Sequence, residues 1–164
     1  MDIQHCWRAY QKAELLLAQG HWPEAYHLFD NVLHYIPSHI NSSIYADNIE
    51  PCQFVALVST LRDTAISQSQ VLIKMGRSQC AFHVLNQCYC QLQFISIEES
   101  DLVYKTLNIL NKYSEDLVSH IGQFCASQRS AQWMLEMDTL QKSHHYFSQM
   151  KQATGKQTIS YTLN

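Results

Sequence analysis

Apolar residues recur at steps of three and four near the start of the chain, which is the spacing of an amphipathic α-helix. The pattern predicts one helix over residues 3–19, which stops at Gly20, and a second helix over residues 22–36. Pro23 suits the first turn of the second helix, and Pro37 is expected to end it because proline lacks the amide that a helix interior needs. Together the two helices predict an antiparallel hairpin.

Four more helices follow from the same period. A polar stretch over residues 38–50 has no clear period and is predicted to be a loop. The segment Ser96-Ile97-Glu98-Glu99 has the form of a capping box, in which a serine and a glutamate three residues later satisfy amides at a helix start. Ser114, with the two acidic residues after it, could be a second such start that divides the fifth helix. The predicted helices cover residues 51–75, 78–93, 97–126 and 129–151.

The C-terminal segment, residues 153–164, differs from the rest in being rich in Thr, Gln and Ser, and is predicted to be a flexible tail. Residues 157–163 alternate between polar and apolar positions and are the one strand-like stretch of the chain. The remainder is predicted to be a single all-α domain over residues 1–152, a length that suits one hydrophobic core.

Five residues of the first hairpin have the spacing of a known helical repeat. Gly20, Trp22, Ala25, Phe29 and Pro37 stand where the tetratricopeptide repeat family has a glycine, a large residue, an alanine, an aromatic residue and a proline. The hairpin therefore resembles a tetratricopeptide repeat. The physical roles fit, because the glycine allows a tight turn, the alanine lets the helices approach closely, and the aromatic ring fills the gap between them.

Outside this hairpin the resemblance is weaker. In the first helix the family's tryptophan and leucine positions hold Ala9 and Lys12. A second glycine, Gly76, is followed by Ala81 and Leu85 at matching spacings, but by Gln93 where the family has proline. The two glycines lie farther apart than one family repeat of about 34 residues, so an inserted loop or a longer third helix is expected between them. The resemblance implies a right-handed solenoid of about six helices.

In this family the first helix of each pair forms a concave face that binds peptides, and the resemblance implies such a face here. Its mixture of apolar and polar residues differs from a ring of lysines and arginines, and so favours a peptide held by apolar anchors over one held by its terminal carboxylate. Plain packing, in the core or against a second copy, is the alternative for Trp7 and Tyr10. Carried over by position, the face consists of Trp7, Tyr10, Gln11, Glu14 and Leu17 in the first repeat and of Asp63, Ile66, Ser67, Gln70, Ile73 and Lys74 in the second.

Composition and charge narrow the function classes. Charged residues make up 15% of the chain and the net charge is −3 without any basic block, so no nucleic-acid partner is expected. No apolar run approaches the ~18 residues that span a bilayer, and the first residues lack the features of a signal peptide, so no membrane partner is expected. We therefore expect a cytoplasmic protein whose six cysteines are reduced thiols that mostly pack as small apolar residues.

No arrangement of residues points to catalysis or to a cofactor. Cys80, His83 and Cys90 share one face of the predicted fourth helix, but the two cysteines would lie about 15 Å apart along it, too far for one zinc ion to bridge. Phosphate-binding, dinucleotide-binding and nucleophile-elbow motifs do not occur in the sequence. We expect no enzymatic activity, no metal site and no cofactor.

Three functions fit these expectations. The first is a protein-interaction module, an adaptor or chaperone that holds a peptide segment of a partner protein; replacing Trp7 and Tyr10 with alanine should then abolish capture without lowering the melting temperature. Under this first function, exposed apolar residues of the last two helices could also serve as the face of a homodimer. The second is a regulatory or structural subunit of a larger complex that binds through flat helical faces. The third is a domain that senses a small ligand in an apolar pocket between the third, fifth and sixth helices.

Overall fold

The computed structural model describes the backbone of residues 1–162 and the side chains of residues 1–153. The described residues form six helices and no strand, which confirms the all-α class. Successive helices pack against each other in the order α1 on α2, α2 on α3 and α3 on α4. The helices are α1 (Ile3–Ala18), α2 (Trp22–Ile44), α3 (Pro51–Lys74), α4 (Ser78–Ser96), α5 (Asp101–Ser127) and α6 (Ala131–Thr162).

The predicted glycine turns are confirmed, and both have the same geometry. Gly20 ends α1 with a φ of 81°, and Gly76 follows α3 with a φ of 73°, the left-handed region that favours glycine. At the first turn the amide of His21 donates to the carbonyl of Leu16 at 2.9 Å; at the second the amide of Arg77 makes the equivalent bond at 2.8 Å. These bonds satisfy carbonyls at the helix end, as in a Schellman motif.

The prediction that Pro37 ends the second helix is wrong. Helix α2 continues through Pro37 to Ile44, so that only residues 45–50 connect it to α3. Ile36, Ile40 and Ile44 are buried at a spacing of four residues and carry the apolar stripe across the proline. Ile40 and Ile44 lie beyond the proline, and burying each of them contributes about 1.5–3 kcal/mol. Together these two contributions offset the ~3 kcal/mol that a proline costs inside a helix.

Two predicted helix starts are also wrong. Ser96 does not begin a helix but is the buried last residue of α4, where its hydroxyl donates to the carbonyl of Leu92 at 2.7 Å. Helix α5 begins at Asp101 and continues past Ser114, whose buried hydroxyl donates to the carbonyl of Leu110 at 3.0 Å. A serine that bonds the carbonyl four residues before it sits inside a helix, and sequence alone does not separate that role from a cap.

The C-terminal segment predicted to be a tail, residues 153–164, belongs to α6 as far as Thr162. The strand-like alternation over residues 157–163 therefore lies on this helix except for its last residue. Leu163 and Asn164 lie outside the described residues.

The chain divides into two compact units, Met1–Leu117 and the residues from Val118 onward. In the first unit a fully buried cluster joins three helices and consists of Ala13, Ala25, Phe29 and Val71. Ala25 and Phe29 are at the positions that the tetratricopeptide resemblance assigns to close packing. In the second unit the rings of Phe124 and Trp133 meet edge to face, with their centroids 5.1 Å apart.

Candidate functional site

Helices α1 and α3 lie side by side and run in the same direction. At their N-terminal ends Trp7 and Ala56 line one cleft, and farther along the hydroxyl of Ser67 donates to a carboxylate oxygen of Glu14 at 2.5 Å. Ile66, the residue before Ser67, is half-buried. We call the surface that α1 and α3 share here the α1–α3 face. It brings together several of the residues that the sequence assigned to peptide binding.

The two aromatic residues of α1 have different surroundings. Their rings stack with centroids 5.8 Å apart, yet Trp7 leaves 48% of its surface exposed, whereas Tyr10 packs against the buried cluster with its ring 6.2 Å from that of Phe29. Burial raises the pKa of Tyr10 to about 12, and the carboxylates of Glu14 and Asp63 add to the effect. We therefore expect Tyr10→Ala to lower the melting temperature, contrary to the expectation from sequence, and only Trp7 is a clean probe of binding.

Two residues predicted to bind peptide, near the C-terminal ends of α1 and α3, make contacts within the fold. Leu17 packs against the same buried cluster as Tyr10 and serves the core at least in part. Lys74 turns toward α2, where its ammonium nitrogen lies 5.4 Å from the centroid of the Trp22 ring. The remaining polar and apolar members of the predicted set, Gln11, Gln70 and Ile73, are exposed.

A residue that sequence reasoning missed, Arg62, organises the polar part of the α1–α3 face. Its guanidinium contacts Asp63 at 2.7 Å and Asp116 at 3.2 Å, and lies 3.9 Å from the centroid of the Tyr113 ring. Only 18% of the Arg62 side chain is exposed, but the side chains of Asp63 and Asp116 are 39% and 44% exposed, so water still reaches both ion pairs and weakens them. Arg62 thus compensates the charge of Asp63 and links α3 to α5.

An apolar cleft of about 340 Å³ opens beside Trp7, between the first halves of α1 and α3, with α2 at its base. This volume is at the lower end of the range of about 300–1,000 Å³ that small-molecule sites occupy. Trp7 and the 47% exposed Ile3 stand at the α1 side of the cleft. The residues that line it are Ile3, Trp7, Ile36, Ile49, Gln53, Ala56, Leu57 and Thr60.

Seven of these residues were not assigned to a site from sequence. For the α3 wall a signal existed, because Gln53, Leu57 and Thr60 extend toward the N-terminus the helical stripe that contains Asp63 and Ser67. The resemblance placed the second repeat too late along α3 to include them.

The structure also locates the thiols and other candidate ligands. All six cysteines are free, with Cys6, Cys88 and Cys125 buried and Cys52 exposed. Complete burial raises the pKa of the Cys88 thiol to about 12, which makes it unreactive near neutral pH. Across the described side chains, no group of three His, Cys, Asp or Glu residues is placed to hold a metal ion. Within the described part of the chain, no helix has both the length and the apolar character that a bilayer crossing demands.

Comparison of the chain with protein-family models, with curated proteins and with solved structures found no significant match. The function proposed for it therefore rests on the residues of the α1–α3 face and its cleft.

Proposed function

We propose that this chain is a non-enzymatic protein-interaction module, an adaptor or chaperone of the tetratricopeptide-like kind, which holds a peptide segment of a partner protein on the α1–α3 face. The cleft beside Trp7 receives an apolar anchor of the peptide, and polar groups farther along the face contact its backbone. We further propose that the six helices continue the hairpin pattern as a right-handed solenoid.

The observation that carries this proposal is the uncovered apolar cleft. Trp7 and Ile3 each expose nearly half of their surface at its edge, next to further apolar residues from α2 and α3. Apolar surface gathered in a concave site and left open to water is typical of a place where another molecule binds. A cleft of this kind between two parallel helices suits a side chain that projects from an extended or helical peptide.

The first hairpin supports the tetratricopeptide-like part of the proposal. Its turn at Gly20 has the left-handed geometry that the motif needs, and Ala13, Ala25 and Phe29 are fully buried between the helices. Pro37 departs from the family pattern, because α2 runs on past it. The first repeat of the proposed solenoid therefore has a longer second helix than the motif implies.

The cytoplasm is the compartment that we propose. An exposed free thiol at Cys52 and five further free cysteines suit a reducing environment. A net charge of −3 without a basic block favours proteins over nucleic acids as partners.

The test is an affinity capture from native cytosol, followed by mass spectrometry of the bound proteins. We expect one dominant partner that the native protein and Leu15→Ala retain and that Trp7→Ala loses. Leu15 is a matched control because it is an exposed apolar residue of the same helix that does not line the cleft. A short synthetic segment of the partner should compete with capture. Equal capture by Trp7→Ala, at an unchanged melting temperature, would refute the proposal.

A second candidate is a subunit, or a homodimer, that associates through a flat helical face. It is favoured by four large apolar side chains that are exposed on α6, namely Met134, Leu135, Tyr146 and Met150. This alternative predicts that only a folded partner or a second copy binds and that short peptides do not compete. Leu135→Lys should then abolish association, whereas Trp7→Ala should leave it unchanged.

A further inference from the structure

The apolar cleft adjoins a second recess of opposite character. This recess, of about 480 Å³, lies where the connection between α2 and α3 meets the start of α5. Ile49 lines both the cleft and the recess, so the two sites are direct neighbours. Both belong to the compact unit Met1–Leu117. We call the second site the acidic recess, because its charged residues are the acids Asp47, Glu50, Glu99 and Asp101 and a single base, Lys105.

Local structure explains only two of the four carboxylates. Glu50 is part of the capping box of α3, and Asp101 lies in the first turn of α5, where a negative charge stabilises the positive end of the helix. Asp47 and Glu99 lie outside the helices, are exposed, and make no hydrogen bond or ion pair with the described residues. Two carboxylates without a partner among the described residues thus lie beside an apolar cleft.

The walls of the acidic recess are fixed by contacts across the connection. The hydroxyl of Ser100 donates to the carbonyl of Ile44 at 3.1 Å, and that of Tyr45 donates to a carboxylate oxygen of Glu98 at 2.8 Å. These bonds hold the end of α2 against the start of α5, so the carboxylates occupy a site that exists before a ligand arrives. A site formed in advance loses less entropy on binding than one that the ligand must order.

We propose that the peptide segment bound on the α1–α3 face is basic as well as apolar: a large apolar side chain fills the cleft, and a neighbouring lysine or arginine enters the acidic recess. This inference rests on the proposed function and specifies the chemistry of the partner. Charge complementarity next to an apolar anchor adds selectivity, because a peptide with an acidic residue at the same position would be repelled.

The experiment is a selection from a displayed library of random dodecapeptides on the purified 164-residue chain. We expect the native protein to enrich sequences that combine an aromatic or branched aliphatic residue with a nearby lysine or arginine. A selected peptide, made synthetically and followed by fluorescence anisotropy, should bind about tenfold more weakly to Asp47→Lys/Glu99→Lys. Its affinity for the native protein should also fall as the ionic strength rises from ~0.05 to ~0.5 M.

The matched control is Asp30→Lys/Glu115→Lys, which makes the same change in net charge at exposed acids that do not line either site. This control should bind the selected peptide within about twofold of the native affinity. Thermal melting curves of both double variants establish that the fold is kept.

The outcomes separate this inference from the function on which it rests. Peptides that require Trp7 but show no preference for lysine or arginine would overturn the inference and leave the interaction module standing. Equal binding of the selected peptide by both double variants would overturn the inference in the same way. A library that gives no enrichment above the level of Trp7→Ala would overturn both proposals.

Discussion

Pro37→Ala tests the most unexpected feature of the fold, a proline inside α2. The structure predicts that this substitution stabilises the protein. Proline has no amide hydrogen, so the carbonyl of Leu33, one turn earlier, lacks its helical hydrogen bond. Alanine restores the donor and removes the ring that crowds this carbonyl.

The expected gain follows from three contributions. Replacing proline with alanine in a helix interior is worth about 3 kcal/mol. Pro37 is half-buried, so the loss of its ring contacts reduces this gain in stability by roughly 1 kcal/mol. Leu33 also borders an open recess that it shares with Gln87 and Gln91. A water molecule bound there would satisfy the unpaired carbonyl and lower the cost of the proline, and so the gain from its removal. The net stabilisation should be about 1–2 kcal/mol, and each kcal/mol raises the melting temperature by ~2–4 °C in a chain of this size.

Two other prolines provide the controls. Pro23 and Pro51 lie in the first turns of α2 and α3, where the missing amide has no helical partner to lose. Their replacement with alanine should lower the free energy of unfolding by about 0.4–1 kcal/mol, because the unfolded chain gains freedom. Chemical denaturation of the three variants, followed by circular dichroism, measures all three values.

The sign of the Pro37 result decides between two descriptions of α2. A loss of stability in Pro37→Ala, similar to that of the two controls, would mean that the proline ends the helix as the sequence suggested. The helical assignment of residues 38–44 would then be refuted.

Three further predictions concern single groups. The raised pKa of Tyr10 means that the folded state holds the phenol proton more tightly than the unfolded chain does. The free energy of unfolding should therefore fall between about pH 10 and about pH 12, and it should fall less steeply in Tyr10→Phe. Parallel pH curves for the two proteins would contradict this. Ellman's reagent should react fastest with the exposed thiol of Cys52, and Cys52→Ser should lack this fast phase. Cys88 should react only after unfolding. A fast phase that persists in Cys52→Ser would contradict this assignment. Gly20→Ala and Gly76→Ala should each lower the free energy of unfolding by about 1 kcal/mol, as measured by urea denaturation. The added methyl group meets open space at both sites, so the whole loss comes from the positive φ. Unchanged denaturation midpoints would contradict this.

Features that depend on local chemistry could be predicted from the sequence, and features that depend on distant packing could not. The turns at Gly20 and Gly76 follow from the freedom of glycine at the end of an apolar stripe. The end of α2 was misplaced because Pro37 was given more weight than the helical spacing of Ile40 and Ile44, whose burial becomes visible only in the packed structure. The true start of α5 was hidden in the same way, since Ser96 bonds within its own helix.

In the candidate site, too, features of one helix could be predicted from the sequence, whereas features that need several segments to pack together could not. The helical stripe of α1 and the tetratricopeptide resemblance identified Trp7, and the structure places it at the edge of a cleft. The base and the far wall of that cleft come from Ile36 on α2 and from Ile49 in the connection before α3. Residues from three separate segments meet only after the helices pack, so no periodicity along the chain could have joined them.

The buried cluster of the first unit determines when its apolar surface becomes covered during synthesis. Ala13 and Phe29 belong to the first hairpin, but the cluster closes only with Val71, near the end of α3. The chain emerges from the ribosome N-terminus first, so α1 and α2 are outside before Val71 emerges. The ring of Phe29 therefore remains partly uncovered in the nascent chain, and apolar surface exposed in this way promotes association with other chains. In the interval between the emergence of α2 and that of α3, this apolar surface is open to a cellular chaperone.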